Sequence, residues 1–459
     1  MTRELTSGRP MKNILSFAVP IFLGLLLQQV YNLADTVIVG RILGADALGG
    51  VGSTNAFNFL VLGACGGLCM GFGIPAANAF GAGDYARLRR CAANCVYVCA
   101  ALGGAIMAVV LVFCRPILTA MRTTPETFGY AYSYIYWIFW GIPFTMLYNM
   151  TSSVIRAVGD SKTPVLFLAI AATLNVGLDL LFILAFRMGV AGAAIATDLS
   201  QGLSGLLCLL YMRRKFPILR PKQGEWAFSW RIAGNLLENG VPMALQYAVT
   251  AIGAILLQSA LNALGTVYVD AAALSGKIYQ ILACPYDALG TTMATYAGQN
   301  TGAAKPARIR QGLNAAMLLS AVWSLVFLAA VWFFTPQMCA LFLSAASRDV
   351  VSFTQKQLVI CALTSIFLAA VNVYRFTLQG IGYSLLAILS GVIEMFARAL
   401  TAIFVVPKLG FLGVCLASPA AWVFADCFLV PACLVCIGRL ERRLKEAARV
   451  RALADGDKA

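Results

Sequence analysis

The sequence predicts an all-α integral membrane protein of twelve transmembrane helices, arranged as two pseudo-symmetric six-helix lobes. Three observations predict this fold. Of the 459 residues, 60% are hydrophobic and 12% charged, whereas a water-soluble domain is about 25% charged. The apolar residues gather into twelve stretches, and a helix needs roughly 20 of them to cross the hydrocarbon layer. The chain also matches itself at an offset near 221 residues.

The predicted spans of the first half are 13–39, 52–79, 91–114, 128–150, 164–186 and 190–212. Those of the second half are 234–263, 269–298, 312–335, 353–374, 385–406 and 411–437. The first follows a short basic tail (Arg3, Arg9, Lys12) and lacks a small-residue cleavage site, so it is expected to stay in the mature protein. The domain reading is an N-lobe over 1–212, a basic linker over 213–233, a C-lobe over 234–437 and a basic tail over 438–459.

The repeat is visible in short blocks. Gly81-Ala82-Gly83-Asp84-Tyr85-Ala86-Arg87 matches Gly302-Ala303-Ala304-Lys305-Pro306-Ala307-Arg308, and Arg187 to Gly192 matches Lys408 to Gly413. Ala196-Thr197 falls on Ala417-Ser418, Val19-Pro20 on Val241-Pro242 with a shift of one, and Gly159 on Gly382 with a shift of two. Six spans per repeat is an even number, so both halves enter from the same side, related by an axis along the membrane normal.

The net charge of +15 raises the question of a nucleic-acid partner, and its placement answers it. Lys and Arg concentrate in the N-terminal tail, 80–90, 156–162, 213–231, 303–310 and the tail after 438. The opposite connections carry isolated charges: Arg41, Arg115, Arg122, Arg187, Arg348 and Lys408. This alternation places both termini in the cytoplasm, with the basic tail (Arg439, Arg442, Arg443, Lys445) near anionic lipid. The expected location is the cell membrane, multi-pass, with lipid and no nucleic acid as surroundings.

Several chemistries are excluded. There is no histidine, so a Ser-His-Asp or Cys-His catalytic site is impossible. No G-x-x-x-x-G-K-[ST] phosphate loop is present, and the loops are too short to hold an enzymatic domain. The 14 cysteines, including the helically spaced Cys91, Cys95 and Cys99, read as small apolar fillers. A transporter driven by an ion gradient is the natural remainder; a channel or lipid flippase also fits.

Ionisable groups inside a membrane are costly and face a cavity or a partner. Asp35 lies in span 1, Asn175 and Asp179 in span 5, and Asp198 after Thr197 in span 6. Asn175 and Asp179 are four apart, so one helical face presents an amide oxygen and a carboxylate. Two carboxylates, an amide and a hydroxyl are hard oxygen ligands suited to a hard cation. Carboxylates in poorly solvated cavities also hold protons more tightly than in water, which makes acids the candidates for proton coupling. The structural alternative is a polar network holding helices together. In the second half, Glu394 and Arg398 have the spacing of an ion pair. Glu238, Lys277, Asp287 and Asp426 have no partner visible in the sequence, and Glu238 is placed near the interface.

The ordered features resemble the MATE family, the multidrug and toxic compound extrusion transporters. They are Pro20; Asp35-Thr36-Val37-Ile38-Val39-Gly40 and Gly44; the 81–84 loop; Arg156 to Pro164; Asn175 to Asp179; Gly240-Val241-Pro242; Gly298 to Ala303; and Gln379 to Gly382. The resemblance implies two six-helix lobes set as a V around a central cavity. It also implies export of organic, often cationic, compounds in exchange for inward H⁺ or Na⁺, with no cofactor beyond that ion. In the DinF-like branch the N-lobe cation site maps onto Asp35, Asn175, Asp179 and Thr197. The NorM-like branch uses a glutamate within span 7. The stretch Met243 to Thr250 holds no acid, which argues against that site.

Gln28, Tyr31, Asn32 and Asp198 are the expected substrate-cavity residues, and Glu394, Arg398 and Asp287 are candidate polar sites of the second half. Tyr31, Tyr134, Tyr136, Trp137 and Trp140 offer cation–π contacts, although the span-4 members read better as an interfacial aromatic belt. A monomer is expected. The competing function is a flippase for lipid or lipid-linked oligosaccharide, which calls for a basic cavity lining that the first-half spans lack. A non-transporting receptor explains neither the repeat nor the buried acids. The acids do not recur: at an offset of 221, Asp179 falls on Leu400 and Asn175 on Phe396, which predicts an ion site in the first half only.

Overall fold

The computed structural model describes residues 4–121, 123–342 and 347–456, with side chains described to 446. Arg3, Arg122 and the end of the basic tail thus lie outside the described residues. Every regular element among the described residues is helical, as the bilayer requires of a chain that cannot hydrogen-bond to lipid.

In the first half the elements are α1 (Pro10–Leu43), α2 (Ala45–Ser53), α3 (Asn55–Gly81), α4 (Tyr85–Ala120), α5 (Pro125–Trp140), α6 (Ile142–Ala157), α7 (Lys162–Leu180) and α8 (Val190–Lys215). The second half has α9 (Trp230–Asn262), α10 (Thr266–Gly302), α11 (Pro306–Phe342), α12 (Arg348–Leu363), α13 (Ser365–Gly380), α14 (Ser384–Leu400), α15 (Val406–Leu409) and α16 (Phe411–Gly456). Taken as passes, α2–α3, α5–α6, α12–α13 and α14–α15 each form one, which gives the twelve predicted. Among the described residues nine helical segments are long and apolar enough to span on their own, and the bent α12–α13 pair makes a tenth. The α5–α6 pair is interrupted at Gly141, and α10 carries Asp270, Lys277 and Asp287 along its length.

The fourth pass of each half is broken, at Gly141 and at Thr364, where the chain bends by 51°. The fifth pass of each half relaxes into a π-turn, at Leu181–Ala185 and at Thr401–Val405. The turns repeat as well. Positive φ occurs at Gly44 and Gly265, Gly83 and Ala304, Gly159 and Gly382, and Gly189 and Gly410. Asp160 organises the turn before α7: its carboxylate accepts from the N–H groups of Lys162 and Thr163 and from the Thr163 hydroxyl, satisfying donors that a helix start leaves free.

The chain divides into two compact units, one built on Val19–Ala251 and the other on Leu5–Ala18 with Ile252 onward. In the first, α3 packs on α6, α6 on α8 and α7 on α8; in the second, α10 packs on α13, α13 on α16 and α14 on α16. Pass for pass these are the same contacts. The basic segment 213–233 is packed within the first unit rather than slack: Glu225 pairs with Arg89, the Tyr97 hydroxyl donates to the Trp226 carbonyl, and Ser229 N–H donates to Asn94. Within the second unit the segment before α1 is held in a related way. Lys305 donates to the Thr6 carbonyl, and Arg308 to the carbonyls of Leu5, Ser7 and Gly8.

Gly240 and Gly71 explain part of the Gly-x-Pro stretch. A methyl group on Gly71 would come within 2.6 Å of the Asn239 carbonyl oxygen, and one on Gly240 within 2.9 Å of the Leu68 carbonyl oxygen. Only glycine lets α3 and α9 approach this closely.

Candidate functional site

Three helices of the first unit supply the candidate ion site. From α7 come Asn175 and Asp179, which are 2% and 0% exposed. The π-turn begins at Leu181, directly after this face. Such turns insert an extra residue and occur often at functional sites. From α8 comes Thr197, whose hydroxyl accepts from Asn175 Nδ2 at 3.4 Å. From α1 comes Asp35, within electrostatic reach of Asp179. Four oxygens here are buried and accept no hydrogen bond: Asp35 Oδ1, Asn175 Oδ1 and both carboxylate oxygens of Asp179. Buried oxygens with free lone pairs are what a proton or a hard cation needs.

Beside this group is a narrow pocket. Its polar lining is Tyr31, Asn175, Thr197, Ser200 and Gln201. Gln201 Nε2 donates to the Tyr31 hydroxyl at 3.5 Å, and Gln28 neighbours that hydroxyl. Asn32 instead lies on the exposed side of α1, where its carbonyl accepts from Thr36. Asp198 is 8% exposed and rests against Gly141, in the space that any side chain at 141 would fill. The acid therefore occupies the break between α5 and α6.

The second unit holds a different constellation. Glu394, 6% exposed, accepts from Arg375 on Oε1 and from Arg398 on Oε2 at 3.2 Å. Arg375 is itself 5% exposed and donates through Nε to Ser390 at 2.9 Å. Asp287 is exposed and sits beside the Asn372 amide. Glu238 is exposed on α9, and Lys277 is exposed on α10 with its Nζ 6.0 Å from the Phe342 ring. Asp426 is buried, with both carboxylate oxygens unpartnered.

The MatE family model matches this chain twice, over residues 20–181 and 242–404. The chain belongs to the MatE family. Its two matched blocks start at Pro20 and Pro242, the prolines that open the internal repeat. The probable multidrug resistance protein YpnP of Bacillus subtilis is 30% identical over 77% of this chain and 79% of its own length. YoeA of the same organism, also a probable multidrug resistance protein, is 25% identical over 92% of this chain and 93% of its own. Among solved structures, MATE in complex with MaL6 superposes with a TM-score of 0.88 at 22% identity, covering 95% of this chain and 98% of that one. An outward-facing multidrug resistance MATE family transporter of the MOP superfamily gives the same values. These structures share the fold.

Two residues of this MatE chain stand elsewhere than the sequence predicts. Tyr134, a candidate cation–π contact, reads better from the sequence as part of an interfacial belt with Tyr136, Trp137 and Trp140. Those two tryptophans are 40% and 46% exposed, but Tyr134 is 6% exposed, on the inner face of α5 with Ala131, Ile135 and Ile138. It lies within electrostatic reach of Asp35, Asp198 and Asp179. Spacing alone groups it with Trp137, three residues on, so the rotation and packing of α5 decide its burial. The predicted tenth span ends at 374, which leaves Arg375 on its flank. The helix continues to Gly380 and carries the guanidinium inward.

Proposed function

We propose that this protein is a secondary active exporter of organic, often cationic, compounds, driven by inward H⁺ or Na⁺. The observation that carries the reading is the set of unpartnered buried oxygens on Asp35, Asn175 and Asp179, with Thr197 beside them. Ion binding there removes the cost of leaving these groups unsatisfied in a dry interior. Coupling follows if the ion binds one conformation more tightly than the other, since only differential affinity lets a gradient do work. The names of the relatives, multidrug resistance and export proteins, support the substrate class.

Tyr31, Gln28 and Gln201 fit a substrate wall beside the ion site, and Asp198 is a second acid that a cationic compound would favour. The positive-inside distribution of Lys and Arg supports cytoplasmic termini. A lipid-pyrophosphate flippase would call for basic groups around the pocket, and no lysine or arginine lines it. The test is dye efflux from liposomes containing the purified protein, with H⁺ and Na⁺ gradients imposed separately. Acceleration by one of them is expected. Efflux indifferent to both gradients would sink the coupled reading.

A further inference from the structure

The buried charges of the second half have no counterpart in the first. At the offset of 223 that relates Gly141 to Thr364 and Gly159 to Gly382, Arg375 falls on Ser152; at 221, Glu394 falls on Thr173 and Asp426 on Gly205. The cluster is therefore a property of the second half alone, and its pairing is incomplete. Glu394 engages two guanidinium groups, those of Arg375 and Arg398. Arg375 spends its Nε on Ser390. Asp426 on α16 is 9% exposed, both its oxygens are buried, and neither accepts a hydrogen bond.

An ionised carboxylate cannot rest there at low cost. Removing such a charge from water costs several kcal/mol or more unless donors replace the water, and the nearest guanidinium is committed elsewhere. A protonated carboxyl carries no charge and needs far less. The contact cluster of two arginines and one glutamate has an excess of one positive charge, which an ionised Asp426 would cancel by drawing a guanidinium to itself. The pairing observed is thus the one that suits a protonated Asp426.

We propose that Asp426 is a second proton-binding carboxyl, confined to the second half, whose proton loss transfers a guanidinium from Glu394 to Asp426. The proton leaves as H⁺, the carboxyl becomes a carboxylate, and the arginines stay charged throughout. Groups facing Asp426 are Arg375 and Tyr374 from α13 and Glu394 from α14, and Tyr374 in turn neighbours Cys433, two turns further along α16. Other charges on helices packed against α16 are remote from it: Lys356 of α12 is beside Cys415, and Arg310 of α11 pairs with Glu441. The two pairings form a bistable element within one unit, and a proton selects between them. The proposal deepens the coupled-export reading and rests on it for its consequence, a second proton-responsive step in the transport cycle.

Infrared difference spectra of the full chain in liposomes, stepped from neutral to alkaline pH, test it directly. The wild type is expected to lose protonated-carboxyl C=O intensity, one band of which belongs to Asp426. That band should be missing in Asp426→Asn and retained in Asp35→Asn and Asp179→Asn. In Glu394→Gln it should already be absent at neutral pH, because a freed guanidinium ionises Asp426. Should Asp426→Asn not fold, Asp426→Glu keeps an acid and must move the band. An Asp426→Asn spectrum equal to wild type, or an Asp426→Glu band in the original place, overturns the proton site. A Glu394→Gln spectrum equal to wild type overturns the transfer. Because proton occupancy is read without transport, failure of gradient-driven efflux would leave this result standing on its own.

Discussion

Arg89 grips Glu225 with two parallel hydrogen bonds, Nε to Oε2 at 2.6 Å and Nη2 to Oε1 at 2.8 Å. The Lys222 N–H adds a third donor at 2.7 Å. A planar guanidinium on a carboxylate is a geometry that lysine cannot reproduce, and here it pins the segment before α9 onto α4. The related fastening of Leu5 to Gly8 by Arg308 means that the segment entering each half is held by a cation at the start of a third pass.

The Arg89 hydrogen bonds, and then the Lys222 N–H, hold the Glu225 carboxyl down at about 2, against an ordinary value of 4.5. A carboxyl whose folded value is depressed stabilises the fold above its unfolded value and loses that contribution as pH falls through the folded one. The fastening should therefore be intact at neutral pH and weaken between about 4.5 and about 2. Limited pepsin digestion across that range should show cleavage near 216–229 rising as pH falls. Glu225→Gln should be cleaved at pH 4.5 as readily as the wild type is at the acid end; equal protection of the two proteins at pH 4.5 would count against the fastening.

Asp179→Asn and Asp35→Asn are expected to reduce gradient-driven dye efflux at least tenfold, the equivalent of about 1.4 kcal/mol of lost coupling. Thr197→Ala, which removes one neutral oxygen, should cost less. Proteoliposome assays with matched protein amounts measure this. Full coupled activity in both aspartate variants would remove the proposed roles.

Gly71→Ala should lower the thermal midpoint in detergent, because its methyl group would meet the Asn239 carbonyl at 2.6 Å. Overpacking of this kind costs about 1–3 kcal/mol. Gly66 lies on the same helix with open space where a side chain would go. Gly66→Ala should leave the midpoint unchanged or raise it by better helix propensity. A midpoint for Gly71→Ala at or above that of Gly66→Ala would contradict the close approach.

Ala304 has φ +56°, whereas its repeat partner Gly83, at φ +72°, is a glycine. A left-handed conformation costs an L-residue roughly 1–2 kcal/mol, so Ala304→Gly should stabilise the protein by up to about 1 kcal/mol once glycine's larger unfolded entropy is counted. Gly83→Ala should destabilise by a similar amount. Chemical denaturation midpoints of the two variants should move in opposite directions.

Periodicity along the chain was enough to establish the twelve passes, the two halves and the shared face of Asn175 and Asp179. The spacing of Glu394 and Arg398 likewise announced their ion pair. All of these are relations within one helix or within a length of apolar chain, where 3.6-residue geometry and bilayer thickness leave little freedom. Only the tertiary structure could set Thr197 against Asn175, turn Tyr134 inward, bring Arg375 to Glu394 and leave Asp426 without a donor. Those relations join different helices. They depend on how far each helix is rotated and where it is broken, as at Gly141, Thr364 and the two π-turns, and packing of side chains between helices sets both.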